Sequence, residues 1–216
     1  MRRFEQLENH QFTYKYAQPE DYRFCQDSVI FAKYIAGEVG QVNPGYRALD
    51  VCAGCGIIGF EIGHYLPDLL HVDFMEIQEE FRPSFLENLA LTERGSGREF
   101  RFLNESFLEL STDRYAAAYD LIVGNPPYFM RGEGLLSPSQ MRNRCRFFLD
   151  GDLVSLVSGV VNALKPQGVG YLLMKSGSEH GRRAFRDLQL HFNGKAQLSV
   201  CANIRGTDVI QILRFD

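Results

Sequence analysis

The chain has 216 residues, of which 45% are hydrophobic and 23% charged, and a net charge of −4. That length and composition suit one soluble α/β domain with a full core. They exclude a general basic field for nucleic acid, so any such binding needs a local patch.

No apolar run approaches the roughly 20 residues of a membrane span, and the start, Met1-Arg2-Arg3-Phe4-Glu5-Gln6-Leu7-Glu8, has no apolar signal core. A cytoplasmic protein with no membrane partner is expected. Five cysteines, an odd number, lie scattered through apolar segments, which fits reduced thiols.

Residues 1–27 carry weak periodicity and many aromatics. They read as an N-terminal extension, with a small hairpin expected around Phe12–Tyr16. Asp27-Ser28, followed by apolar residues at helical spacing, opens a helix that Gly37 or Gly40 ends. Arg47–Cys52 reads as the first buried strand. Ala53-Gly54-Cys55-Gly56 leads into a helix from Ile57 to about Tyr65. A second strand, Leu70–Met75, ends at Glu76, and a helix runs from Gln78 to about Thr92. The third strand is Phe100–Leu103 and the fourth is Tyr119–Gly124. Residues 129–150 read as a long polar loop, a feature that is usually functional or mobile. A helix from about Gly151 to Leu164 then stops at Pro166-Gln167-Gly168, and the fifth strand is Val169–Met174. Glu179–Phe192 is a helix whose arginines Arg182, Arg183 and Arg186 read as a solvated face. Gln197–Ala202 and Val209–Phe215 close the chain as an antiparallel pair. Strands alternating with helices predict a mostly parallel sheet.

Two stretches carry chemistry. Gly54-Cys55-Gly56-Ile57-Ile58-Gly59 matches G-x-G-x-x-G between a strand and a helix. Glu76 follows about twenty residues on, placed to accept hydrogen bonds from ribose hydroxyls. Alone this fits NAD or S-adenosylmethionine. Asp50, just before the glycines, favours the latter, because a carboxylate repels a pyrophosphate but suits a cationic amino acid and sulfonium. The second stretch is Asn125-Pro126-Pro127-Tyr128 at the end of the fourth strand. An Asn oxygen and a Pro carbonyl can together accept both hydrogens of a planar NH2 group, and a Tyr ring can stack on the flat system bearing it. At the third-strand end, Glu105 or Ser106 could bind an adenine amino group, with Phe107 near the ring.

Asp50 through Gly59, Glu76 and the Asn-Pro-Pro-Tyr corner together resemble class I S-adenosylmethionine-dependent methyltransferases that modify exocyclic or amide nitrogens. Gln18–Ile30 and Arg144–Asp150 further resemble bacterial tRNA(valine) adenine-N6 methyltransferases. In that family a Tyr-x-Phe-x-x-Asp stretch, here Tyr22 to Asp27, opens the first helix and closes over the cofactor. Cys52 and Cys55 depart from the pattern, standing where small or polar residues are commoner.

The resemblance implies a Rossmann-like sheet of seven strands in the order 3-2-1-4-5-7-6, strand 7 antiparallel, with helices on both faces. Residues 28–216 would form a single methyltransferase domain, with 1–27 part of a lid. It implies S-adenosyl-L-methionine as cofactor, near Asp27, Asp50, Cys52, Ala53, Gly54, Gly56, Glu76, Ile77, Glu105, Ser106, Phe107 and Asn125. Catalysis falls to Asn125, Pro126, Pro127 and Tyr128. RNA, foremost tRNA, is the expected partner, with Phe129, Arg131, Arg142, Arg144 and Arg146 as its contacts.

No metal is expected. Cys52-x-x-Cys55 has no second pair, and the five histidines show no ligand spacing. Other readings are a protein glutamine-N5 methyltransferase, an rRNA base methyltransferase acting on guanine N2 or adenine N6, and a non-catalytic module that binds S-adenosylmethionine or RNA. The glutamine enzymes usually carry a helical N-terminal domain, for which 27 aromatic-rich residues leave no room.

Overall fold

A computed structural model of the chain describes residues 13–20, 22–23, 26–92, 97–130, 132–175 and 179–215. Its centre is a seven-stranded sheet. In chain order the elements are α1 (Gln26–Val39), β1 (Arg47–Val51), α2 (Ile57–Tyr65), β2 (His71–Met75), α3 (Arg82–Thr92), β3 (Glu99–Leu103) and β4 (Tyr119–Gly124). Then come β5 (Phe129–Met130), α4 (Gln140–Arg146), β6 (Phe147–Phe148), α5 (Leu153–Ala163), β7 (Leu164–Met174), α6 (Glu179–His191), β8 (Ala196–Ile204) and β9 (Thr207–Arg214).

The sheet runs β3-β2-β1-β4-β7-β9-β8, and β5 and β6 form a separate parallel pair. With that pair set aside, the order is the expected one. β9 is antiparallel to both neighbours, and the other sheet pairings are parallel.

Alternate residues of each strand feed opposite faces, as a pleat requires. Ala48, Leu121, Val123 and Phe74 pack with α1 and α2 in one apolar core, while Leu49, Val51, Ile122 and Leu172 pack with α5 and α6 in the other. Glycines permit the tightest approaches. A Cβ on Gly59 of α2 would stand 2.4 Å from the Phe74 ring, and one on Gly124 would stand 2.6 Å from the Val51 carbonyl. Gly124 thus lets the carboxyl ends of β1 and β4 lie side by side, in register at Val51 and Gly124.

Several sequence expectations change. No strand forms at Thr13–Tyr16, and Phe12 lies outside the described residues. Instead Tyr16 is buried, its hydroxyl donating to Glu61 Oε1 on α2 at 2.8 Å, and Thr13 donates to Glu61 Oε2 at 2.7 Å. Side-chain hydroxyls here satisfy a buried carboxylate, and no hairpin ladder forms among these residues.

The stretch 129–150 is not a plain loop, since it holds β5, α4 and β6. Ser139 caps α4 by accepting from Arg142 N, but the sequence Gln140–Arg146 has no apolar stripe to announce a helix. α5 begins at Leu153 on a capping box, Asp152 accepting from Ser155 N at 2.7 Å. β7 starts straight after α5 and runs through Pro166-Gln167-Gly168, where the register with β4 shifts and Gln167 takes φ 66°.

Candidate active site

The carboxyl ends of β1, β2, β3 and β4 open into one cleft of about 660 Å³, and α4 and β6 wall its far side. Open α/β sheets bind ligands at this end of their strands. Cys52 and Gly54 line it from the β1 turn. Glu76, Ile77 and Gln78 line it from β2, Glu105, Ser106 and Phe107 from β3, and Asn125 and Pro127 from β4. The glycine turn and the proline corner therefore face the same space.

Glu76 is only 6% exposed. Its Oε2 accepts from Gly54 N and its Oε1 from Gln78 N, both at 2.9 Å. Asn104, unmarked by any sequence motif, donates to the carbonyls of Glu76 and Ile77 at 3.0 Å and fixes this turn. Burial raises the Glu76 carboxyl to about 6 against the lowering effect of the backbone donors. Each oxygen keeps a lone pair for a ligand hydroxyl.

The structure places Asp50, Ala53, Gly56 and Asp27 outside the cleft wall. Asp50 is fully buried on the α2 side of the sheet, its Oδ2 accepting from Gly59 N at 2.9 Å, and its Oδ1 has no partner in the structure. It holds the helix start behind the glycine turn. Burial raises its carboxyl to about 7, and Glu76 adds to the rise.

Ala53 and Gly56 shape the turn from beneath. Ala53 N donates to the Met75 carbonyl and Gly56 N to the Ala53 carbonyl, and Gly56 has φ 85°. Asp27 points toward the β8–β9 hairpin, where Arg205 pairs with it at 3.6 Å. Its neighbour Tyr22 reaches the cleft wall instead, packing edge-on against Phe81.

Cys52 has φ 57°, a conformation that strains a residue with a side chain. Burial pushes its thiol well above the ordinary value, and pushes Cys55 and Cys145 to about 12. These thiols are protonated at neutral pH and ill suited to redox or metal chemistry. Among the described residues no group of His, Cys, Asp and Glu could hold a metal ion.

At β3, both alternatives for an adenine contact line the cleft. Glu105 is engaged from behind by Arg114 at 3.0 Å and the Tyr115 hydroxyl at 2.8 Å. Ser106 Oγ accepts from Leu108 N at 3.3 Å, which leaves its own hydroxyl hydrogen to donate. Phe107 packs edge-on against Phe148 at 6.2 Å.

At the proline corner, the Tyr128 hydroxyl donates to Asn125 Oδ1. That bond orients the amide and leaves the oxygen a second lone pair. Of the corner's residues Asn125 and Pro127 line the cleft, whereas Pro126, which is buried, and Tyr128 are not among its lining residues, and Lys175 stands 5.4 Å over the Tyr128 ring.

The arginines after the corner divide. Arg131 lies outside the described residues. Arg142 and Arg146, four apart, share an exposed face of α4. Arg144 is exposed as well, but it lies on the cleft side of α4, where Asp150 accepts from it twice, at 3.0 and 3.2 Å. Phe129 packs on Phe147 at 5.7 Å, with the Arg146 guanidinium over both rings. Sequence reasoning missed Gln78 and Cys145, which tie β2 to α4 through Gln78 Nε2 donating to Cys145 Sγ at 3.4 Å.

With this geometry in view, the solved structures are informative. A candidate S-adenosyl-L-methionine-dependent methyltransferase of Methanococcus maripaludis superposes with a TM-score of 0.62 at 13% identity, covering 88% of this chain and 86% of that one. The fold is the class I, Rossmann-like methyltransferase fold. In sequence, no family model matches the chain. Several curated relatives carry the name tRNA1(Val) (adenine(37)-N6)-methyltransferase. The protein of Tolumonas auensis is 28% identical over 160 residues, 74% of this chain and 63% of its own length. That of Pedobacter heparinus is 34% identical over 96 residues, 44% of this chain and 38% of its own length. The chain thus spans less than two thirds of either relative.

Proposed function

We propose that this chain is an S-adenosyl-L-methionine-dependent N-methyltransferase acting on a planar amino group, adenine N6 in tRNA. The observation that carries this reading is that one cleft is walled by both the glycine turn with Glu76 and the Asn125 corner. The similarity to proteins named tRNA adenine-N6 methyltransferases supports the choice of target.

The residues fit the cofactor. Glu76, already held by two backbone amides, would accept from ribose hydroxyls. Ile77 and Phe107 offer apolar surface to an adenine, and Ser106 a hydroxyl. Asp50, fully buried and accepting from Gly59 N, holds the start of α2 behind the turn. When bound, the cofactor supplies an electrophilic methyl carbon on a sulfonium.

The chain's own groups do the rest. An aromatic amino nitrogen is a poor nucleophile because its lone pair is delocalised into the ring. Asn125 Oδ1 and the Pro126 carbonyl would accept its two hydrogens, drawing the nitrogen toward tetrahedral geometry and localising the lone pair. They would also stabilise the positive charge that develops on it. The Tyr128 hydroxyl holds the Asn125 amide in the accepting orientation, and its ring would stack on the target base by exchanging its contact with Lys175 or using its other face. The nitrogen's proton leaves to water, so no Cys, Ser or His nucleophile is needed.

Labelled cofactor incubated with total RNA, and separately with release factor, distinguishes RNA from glutamine targets. Analysis of the RNA nucleosides then identifies N6-methyladenosine. Asn125→Ala should lower turnover at least about a hundredfold, the scale of losing one oriented transition-state partner, while calorimetry still shows cofactor binding. Normal turnover by that variant would refute the mechanism.

A further inference from the structure

Leu135 is 93% exposed and Leu136 60% exposed, next to the cleft and unused by the chemistry above. The loop that carries them is ordered by hydrogen bonds at both ends. At its start, Met130 N donates to Glu133 Oε2 at 2.6 Å, and Glu133 N donates back to the Met130 carbonyl at 3.1 Å. At its end, the Asn143 side chain, 7% exposed, clamps Ser137. Its Oδ1 accepts from Ser137 N at 2.7 Å and its Nδ2 donates to the Ser137 carbonyl at 2.8 Å. A buried amide is thus spent on holding a loop whose two leucines point into water, although burial of such side chains is the ordinary source of stability.

The position of the tip is equally specific. Gly134 lies beside Phe147, a residue of the cleft wall: a Cβ there would be in ordinary van der Waals contact with the ring, at 3.4 Å. Leu135 follows immediately and so projects from the cleft's rim. The chain returns through α4, whose exposed face carries Arg142 and Arg146. An apolar tip beside a cationic helix face is the arrangement that enters a stack of bases while holding phosphates on either side.

We infer that Leu135 and Leu136 form a wedge that enters the base stack of an RNA next to the extruded target nucleotide. This rests on the RNA reading above. A base can reach Asn125 only after leaving its stack, which leaves a gap between its neighbours. Apolar side chains filling that gap lower the cost of extrusion. The wedge therefore matters for folded RNA and not for RNA whose bases are already unstacked.

The test compares wild type with Leu135→Ser/Leu136→Ser, both exposed positions, on two probes. One is bulk bacterial tRNA folded with magnesium, and the other is the same tRNA hydrolysed to short single-stranded fragments. Labelled methyl transfer is read for each. The double variant should lose about tenfold or more in kcat/KM on folded tRNA, change less than twofold on fragments, and keep the wild-type Tm. Leu135→Met/Leu136→Met should restore activity on folded tRNA. Equal activity on both probes would overturn the wedge and leave the tip to a protein contact. Equal loss on both would also overturn it. If wild type methylates neither RNA, the RNA reading itself fails first, and the wedge with it.

Discussion

A carboxylate that is fully buried with one oxygen unpartnered is costly in its charged form. Asp50 is such a group, and its carboxyl moves from 3.8 to about 7. The sign of the consequence follows from proton binding. Between about pH 4 and pH 7 the folded protein holds this proton and the unfolded chain does not, so rising pH favours unfolding. Glu76, raised to about 6, acts in the same direction over a narrower range. Asp50→Asn keeps an oxygen for the Gly59 amide and removes the charge. The ligand-free variant should therefore gain stability over wild type between pH 5 and pH 8, on the order of a few kcal/mol. Urea denaturation at the two pH values reads the effect, and an identical gap at both would show that Asp50 does not titrate in this range. The sequence marks Asp50 by its place before the glycines. It does not tell that the side chain faces α2 rather than the cleft, because that depends on which face of β1 is covered by which helix. Ala48 and Asp50 share a face, and α2 lies over it.

Elements differ in how openly they announce themselves. β1, α2, β2 and β4 are continuous apolar or glycine-punctuated runs, and their places follow from pattern alone. The segment 13–23 and α4 do not, because side-chain hydrogen bonds hold them rather than apolar periodicity. Asn88 on α3 is the clearest case. It is fully buried, accepts from Ala17 N at 2.7 Å, and donates to the carbonyls of Ala17 and Cys55 at 3.1 and 3.0 Å. One amide thus fastens the N-terminal segment to the glycine turn. Asn88→Ala leaves these backbone groups unsatisfied, at about 2–4 kcal/mol in total. Its Tm should fall, and limited proteolysis should cut first between residues 13 and 23. Because Tyr22 in the cleft wall is carried by that segment, cofactor affinity should weaken as well. Unchanged proteolysis would mean that the Glu61 contacts with Thr13 and Tyr16 suffice to hold it.

For the molecule as a whole, charge sets the problem. A net −4 repels RNA at long range, so the RNA binding proposed above would need a local cationic surface at the cleft. Of the arginines read from sequence, Arg142, Arg144 and Arg146 are all exposed, and Arg144 is paired with Asp150 beside the cleft. Each phosphate contact releases counterions and steepens the salt dependence of binding. Arg142→Ala/Arg146→Ala should therefore raise KM for tRNA and flatten the log–log plot of KM against salt by about 1 to 2 in slope. Cofactor affinity, which the proposed reading assigns to Glu76 and the glycine turn, should stay constant. Arg183→Ala/Arg186→Ala on α6 serves as the control, since those exposed side chains belong to another helix and should change neither quantity. A salt slope that survives the loss of Arg142 and Arg146 would place the phosphate track elsewhere and detach the arginine face of α4 from RNA recognition.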